Sequence, residues 1–86
     1  MTFVIAEIGI NWDGSLELAY DMIGKAKSVG CNAVKFQAFN KGIVEKHPEW
    51  KRLLKSSITK DNIDKIDGFA KSHDIEWFCT PMYAES

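Results

Sequence analysis

Three short apolar segments alternate with two longer segments of helical periodicity in this 86-residue chain. The apolar segments, residues 3–8, 33–38 and 75–79, are rich in β-branched and aromatic residues, as the strands of a parallel sheet are. Parallel strands need a long crossover connection, which a helix normally supplies. The alternation therefore predicts an α/β fold, a βαβαβ unit whose three strands run parallel.

The two main helices are predicted over residues 16–29 and 60–73. Apolar residues of the first recur at the three- and four-residue steps of a buried helical face, namely Leu18, Ala19, Met22, Ile23, Ala26 and Val29. Ser15 is a suitable N-cap for this helix, and Gly30 is expected to end it.

The remaining boundaries follow from capping and turn residues. Thr59 is expected to cap the second helix, and His73-Asp74 to end it. A shorter helical stretch is expected over about residues 48–55, with Pro48 near its start. Thr80-Pro81 is expected to end the third strand.

The handedness of parallel crossover connections indicates that this unit is an incomplete domain. Parallel crossovers are right-handed in about 98% of cases, so both helices cover one face if the strands lie in chain order. Parallel sheets are normally covered on both faces. We therefore expect residues 1–86 to be a single partial domain, either the first part of a TIM-type (β/α)8 barrel or half of a doubly wound sheet. Such a unit needs the missing portion or another copy of itself to cover its open face.

Composition excludes several classes of protein. Apolar residues make up 45% of the chain and charged residues 27%, which is typical of a globular protein rather than a disordered one. The formal net charge of −1 argues against a nucleic-acid partner. Neither a membrane-spanning segment nor a secretory signal is recognisable, so we expect a cytoplasmic protein without a membrane partner.

The cysteines and histidines do not suggest a metal site. Cys31 and Cys79 lie 48 residues apart, each in an apolar run, and are expected to be buried free thiols. His47 and His73 have no Cys or carboxylate neighbours at metal-ligand spacing. Basic residues of the second connection are expected to form a solvated face, with a rim that steers phosphate as the alternative: Lys41, Lys46, Lys51, Arg52, Lys55 and Lys60.

Four polar residues interrupt the apolar strands, and they carry the functional prediction. Glu7, Lys35, Gln37 and Thr80 are expected near the carboxyl ends of the strands, where parallel α/β folds bind ligands, and Asn11 follows on the first loop. A lysine, a glutamine and a threonine suit a small anion such as a carboxylate or phosphate. The alternative for Glu7 and Lys35 is a buried salt bridge between neighbouring strands. The alternative for Asn11 and its neighbours is a plain turn that Asp13 stabilises.

Three motifs together resemble the sialic acid synthase (N-acetylneuraminate synthase) family. Residues 5–15, IAEIGINWDGS, are similar to its I-A-E-I-G-x-N-H-x-G start, with Trp12 where the family has His. The segments AVKFQ (33–37) and FCTP (78–81) are similar to its second and third signatures. The motifs occur in the family's order and span nearly the whole chain, so the resemblance is to the N-terminal portion of the barrel.

The resemblance implies a barrel enzyme that condenses phosphoenolpyruvate with an N-acylated amino sugar, such as N-acetylmannosamine, to a nine-carbon keto acid. It implies phosphoenolpyruvate contacts for Lys35 and Thr80, a sugar-side position for Gln37, and a place for Glu7 at the reacting centre. It also implies a divalent metal, Mn or Mg, whose ligands lie outside this chain. Another phosphoenolpyruvate-dependent sugar-acid synthase, or a non-catalytic module for anion binding or assembly, is the alternative. In either case the 86 residues alone are not expected to catalyse a reaction.

Overall fold

The computed structural model describes residues 2–39 and 45–82. Its elements follow the predicted order, and in sequence they are β1 (Ile5–Gly9), α1 (Leu16–Ser28), β2 (Ala33–Phe39), α2 (Trp50–Lys55), α3 (Ile63–Ser72) and β3 (Glu76–Met82). The three strands form one sheet in the order β1-β2-β3, and both pairings are parallel. The predicted parallel βαβαβ unit is confirmed.

The core lies between this sheet and the two longer helices, α1 and α3. Val34 and Phe36 of β2 are both 0% exposed. They pack into one cluster with the buried residues of the helices, which are Ala19, Ile23, Ala26, Ile66 and Ala70. The rings of Tyr20 and Phe69 stack at 4.0 Å between the helices. Both helices therefore cover the same face of the sheet, as right-handed crossovers require.

The first helix begins and ends where its capping residues predict. The Ser15 hydroxyl accepts a hydrogen bond from the Leu18 N–H at 3.2 Å, and Gly30 follows the C-cap Val29 with a φ of +93°. The predicted apolar face is wider than the buried one, because Leu18 and Val29 are 39% and 78% exposed.

The predicted cap of the second main helix is wrong. Helix α3 begins at Ile63, and its N-cap is Asn62, which makes no side-chain capping bond. The Asn62 side chain instead accepts a hydrogen bond from the Thr59 N–H at 2.8 Å, and the Thr59 hydroxyl accepts one from the Asp61 N–H. The Thr59 hydroxyl therefore stabilises the turn of residues 59–62, which precedes α3, and does not cap the helix.

The predicted end of the third strand is also wrong. β3 continues through Thr80 and Pro81 to Met82, which pairs with Phe39. A proline lacks the N–H of an interior strand, but β3 is an edge strand of this sheet, where proline is tolerated.

The face of the sheet opposite the helices is open. The apolar composition of the strands is typical of burial on both faces, yet Ile5 of β1 is 45% exposed and Phe78 of β3 is 41% exposed. Side chains alternate along a strand, so this open face carries Ile5 and Glu7 of β1, Ala33, Lys35 and Gln37 of β2, and Glu76, Phe78 and Thr80 of β3. The uncovered face expected from handedness is therefore present in the described residues.

Candidate functional site on the open face

Glu7 and Lys35 form an ion pair on the open face. They are direct partners in the β1–β2 register, and Lys35 Nζ lies 3.4 Å from Glu7 Oε1. The register shifts between Glu7 and Gly9, so the pair lies beside a bulge at the end of β1. Bulges near strand ends re-aim side chains and are common next to active sites.

This pair is not the buried salt bridge that the sequence left open. The side chains of Lys35 and Glu7 are 29% and 52% exposed. An ion pair with this much solvent contact contributes at most about 1 kcal/mol to folding. An ammonium carries three N–H donors, so Lys35 can contact Glu7 and a second anion together. The geometry thus leaves Lys35 available to a ligand.

Gln37 and Thr80 lie one step further along the strands. They are partners in the β2–β3 register, and both are half-buried. In the described part of the chain, neither side chain makes a hydrogen bond. An amide and a hydroxyl therefore stand beside each other on the open face, with donors and acceptors available to a ligand.

Lys35 lies lower in the sheet than the sequence predicts. All four polar residues were expected near the carboxyl ends of the strands, but β2 continues to Phe39 and β3 to Met82. Lys35 is therefore in the middle of β2, about 7 Å below the level of Gln37 and Thr80 at 3.3 Å per residue. The polar residues form a column that rises along the open face toward its carboxyl end.

Asn11 lies on the loop that follows β1. Its N–H donates to the Ile8 carbonyl at 2.9 Å, and its side chain is exposed. Among the described residues, no side-chain hydrogen bond joins Asn11 to Glu7, Lys35, Gln37 or Thr80. The structure thus brings four candidate residues onto one face and leaves Asn11 at its rim.

The loop after Asn11 packs against α2, and the sequence did not predict this contact. Trp12 is 1% exposed, and its indole N–H donates to the Ser56 carbonyl at 3.0 Å. Arg52 Nε donates to Asp13 Oδ1 at 2.8 Å, and this pairing raises the pKa of Arg52 above its ordinary value. The alternative left open by the sequence was that Asp13 stabilises its own turn, and the structure shows that its side chain joins the loop to α2. No local pattern predicts this, because the partners lie about forty residues away in sequence.

The segment after α2 hydrogen-bonds the end of β2, and the sequence did not predict this contact either. Ser57 and Ile58 are 3% and 8% exposed. The Ile58 N–H donates to the Gln37 carbonyl at 2.9 Å, and the Phe39 N–H donates to the Ser57 hydroxyl at 2.8 Å. An apolar residue after two serines in a charged stretch is the only sequence signal for this packing.

The cysteines and histidines have structural surroundings. Cys31 and Cys79 are free and half-buried, so their burial is less complete than predicted. Burial raises the pKa of the Cys79 thiol, which disfavours the reactive thiolate. The His73 ring stacks on Phe69, and His47 accepts a hydrogen bond from the Glu49 N–H. Lys41, in the predicted basic face, lies outside the described residues.

The residues described do not form a metal site. No three His, Cys, Asp or Glu side chains converge within residues 2–39 and 45–82. Glu7 on the open face is paired with Lys35 rather than with another acid. The resemblance implies a divalent metal whose ligands lie outside this chain, and the described residues supply no ligand set of their own. No helix in this part of the chain is long and apolar enough to span a membrane.

Comparison with known proteins gives relatives for this fold and site. No protein-family model matches the chain. An uncharacterised protein of Methanocaldococcus jannaschii is 29% identical over 83 residues, 94% of this chain and 25% of the relative. The N,N'-diacetyllegionaminic acid synthase of Legionella pneumophila is 51% identical over 37 residues, 43% of this chain and 10% of that enzyme. The chain thus spans about a quarter of the length of the archaeal relative.

A solved structure is similar to nearly the whole of this chain. The N-acetylneuraminic acid (sialic acid) synthetase of Leptospira borgpetersenii, in complex with citrate, matches with a TM-score of 0.77 and 33% sequence identity. The match covers 94% of this chain and 29% of the synthetase. The resemblance predicted from three sequence motifs is therefore confirmed: over nearly its whole length, this chain is similar to one segment of the sialic acid synthases.

Proposed function

We propose that this chain is part of a sugar-acid synthase and binds the anionic donor, phosphoenolpyruvate, through Lys35. The observation that carries the proposal is the ion pair between Lys35 and Glu7 on the open face. A lysine in the middle of an otherwise apolar strand needs a charged partner. Glu7 is half-exposed and occupies one N–H group of the Lys35 ammonium, so the other two N–H groups are available to a ligand. The synthetase that shares this fold was solved with citrate, a small carboxylate anion, which agrees with an anion site.

In this proposal each polar residue of the column has a separate role in the reaction. The Lys35 ammonium attracts the phosphate or carboxylate of the donor as a point charge, and the Thr80 hydroxyl adds a directional hydrogen bond. The Gln37 amide and the exposed Asn11 contact the N-acylated amino sugar. Glu7, within reach of Lys35, moves or holds a proton at the reacting centre. The product would be a nine-carbon keto acid: the donor forms a C–C bond to the sugar aldehyde, water adds to the former enol carbon, and phosphate leaves.

The open face requires further protein for this activity. Ile5 and Phe78 are exposed beside the polar column, and the chain matches only 29% of the synthetase. We propose that the missing portion of the fold, or another copy of the chain, covers this face in the cytoplasm. Any divalent metal would be held by residues outside this chain. The legionaminic acid synthase among the relatives favours a second candidate, a synthase that makes another sugar acid on the same donor site.

The test is phosphoenolpyruvate binding by the purified chain, measured by calorimetric titration. Lys35→Met keeps the apolar stem but removes the charge, and we expect at least about a tenfold loss of affinity, as for one charge-assisted hydrogen bond. Glu7→Gln is expected to strengthen binding, because it removes the carboxylate that competes for Lys35. Lys25→Ala is the matched control, since Lys25 is also ion-paired, at 3.1 Å from Asp21, but lies on α1.

A structural ion pair predicts a different result. In that case neither variant changes anion affinity, and the loss of either partner lowers only the free energy of unfolding. Equal affinity in the wild-type chain and in Lys35→Met would contradict the proposed donor site. Loss of binding in Lys25→Ala would place the anion on α1 instead.

A further inference from the structure

Trp12 is the largest fully buried side chain in the described residues, although it lies in a loop. Its ring meets the Phe36 ring edge-on, with centroids 5.8 Å apart and an interplanar angle of 88°. Its indole N–H donates to the Ser56 carbonyl at 3.0 Å, across 44 residues of sequence. Trp12 therefore joins the loop after β1 both to the core and to the end of α2.

The two residues after Trp12 make further contacts with the same helix. Asp13 accepts the 2.8 Å hydrogen bond from Arg52 Nε. A Cβ on Gly14 would lie 2.6 Å from the Lys55 carbonyl oxygen, so only glycine allows this close approach. We call these interactions the loop–α2 contact, and its members are Trp12, Asp13, Gly14, Arg52, Lys55 and Ser56. On the α2 side, the contact consists of the Arg52 side chain and the carbonyl oxygens of Lys55 and Ser56 at the C-terminal end of the helix.

The loop–α2 contact continues directly to the candidate site. Ser57 and Ile58, the residues after Ser56, hydrogen-bond the end of β2 at Phe39 and Gln37. Asn11 precedes Trp12 on the loop. One chain of hydrogen bonds and packing therefore runs from Asn11 through Trp12 and Ser56 to Gln37.

We propose that Trp12 is a positioning residue, which sets the loop that carries Asn11 against the strand end that carries Gln37. The inference rests on the proposed function, in which these two residues face the acceptor sugar. Trp12 has no exposed surface with which to touch a substrate, so it acts through Ser56 and the backbone of the loop. Lys35 lies two residues below Gln37 on β2, and its ion pair with Glu7 lies outside this network, so the charged contact to the donor is independent of Trp12.

Trp12→Phe tests the proposal, because it keeps an aromatic ring and removes the N–H. Trp77→Phe is the matched control: Trp77 also meets Phe36 edge-on, at 6.1 Å, and donates its N–H at 2.9 Å, but to Asp67 of α3. Amide hydrogen exchange is the first readout. In Trp12→Phe, we expect the Ile58 and Phe39 amides to exchange about tenfold faster. Amides at the opposite end of the sheet, such as those of Asn32 and Ile75, keep their rates.

The second readout separates positioning from stability. In the ¹⁵N spectrum, the side-chain amide signals of Asn11 and Gln37 are expected to shift in Trp12→Phe and to stay unchanged in Trp77→Phe. Phosphoenolpyruvate affinity is expected to remain within about twofold of wild type in both variants. A chain whose wild-type form binds no anion would contradict the proposed function, while hydrogen exchange would still decide the role of Trp12.

Uniform acceleration of exchange in Trp12→Phe, at Asn32 and Ile75 as much as at Ile58 and Phe39, would overturn the proposal. If Trp12→Phe does not fold, Arg52→Met weakens the same contact at an exposed ion pair. We expect the same pattern with exchange about two- to fivefold faster. Lys71→Met, which removes the exposed pair with Asp67, is its control, and equal effects of the two methionine variants at Ile58 would also overturn the proposal.

Discussion

The two faces of β2 differ in burial and in polarity. Val34 and Phe36 point toward the helices and are completely buried, whereas Lys35 and Gln37, between and beside them, point to the open face and are partly exposed. One strand thus contributes to the hydrophobic core with alternate residues and to a candidate ligand site with the others. The helix-covered face stabilises the fold, and the open face is the one that we propose binds the ligand and further protein.

The open face also changes along its length. Ile5 lies at its lowest level, opposite Ala33, and Glu7 and Lys35 lie one step higher, opposite Phe78. Gln37 and Thr80 follow above them. The lowest level therefore combines the apolar Ile5 and Ala33 with the exposed Glu76 of β3, and the polar residues above it suit a small polar ligand near the carboxyl end.

Phe36→Ala and Phe78→Ala compare the two faces directly. Phe36 is fully buried and contacts both Trp12 and Trp77, so its truncation is expected to cost about 3–5 kcal/mol of unfolding free energy. Phe78 is 41% exposed, and the same change there is expected to cost less than about 1 kcal/mol. Urea denaturation followed by circular dichroism measures both. Equal costs would mean that the open face is packed in solution.

Gly14→Ala and Gly30→Ala compare the loop–α2 contact with a solvent-facing turn. Both glycines have a positive φ, +74° and +93°, so alanine is strained at each by about 1 kcal/mol. Only Gly14 also faces the Lys55 carbonyl oxygen, whereas a Cβ on Gly30 meets nothing within 4 Å. We expect Gly14→Ala to lower the free energy of unfolding by about 1–3 kcal/mol more than Gly30→Ala does. A smaller loss at Gly14 would contradict the close packing of the loop on α2.

Asp67 gives the helix-covered side a weak dependence on pH. The hydrogen bond from Lys71, and then that from Trp77, lowers the pKa of Asp67 below its ordinary 3.8. The carboxylate form is therefore favoured by folding, and its contribution is present above that ordinary value and is lost as the pH falls through the lower folded value. Asp67→Asn should flatten the acid limb of a stability curve measured between about pH 2 and 6. Asp64→Asn changes the net charge equally on the same helix without removing these bonds, and an identical curve for the two variants would contradict the assignment.

The strand and helix order could be predicted because it depends on local periodicity. Residues 33–38 alternate between core and open face, and the helical spacing of Ala19, Ile23 and Ala26 marks their buried side. The end of β3 was mispredicted because Pro81 is unfavourable only where a neighbouring strand needs its N–H, and that depends on strand order. The cap at Thr59 was mispredicted because Asn62 competes for the same turn.

The candidate site could be predicted in its residues but not in its surroundings. Glu7 and Lys35 interrupt apolar strands, which is a local signal, and the structure pairs them. The buried position of Trp12 and its bond to Ser56 have no local signal, since they depend on how the chain between β2 and α3 folds back onto the first loop. Long-range packing of this kind is beyond the reach of spacing and composition.

The most direct test of a donor site on the open face is a ¹H–¹⁵N titration of the labelled chain with phosphoenolpyruvate. We expect shifts to concentrate on Glu7, Lys35 and Thr80, and the signals of Asn32 and Asp74, at the opposite end of the sheet, to stay in place. We also expect Lys35→Met to remove these shifts and to leave the rest of the spectrum intact. Shifts confined to the lysines of the helices, or an unchanged response in Lys35→Met, would contradict it.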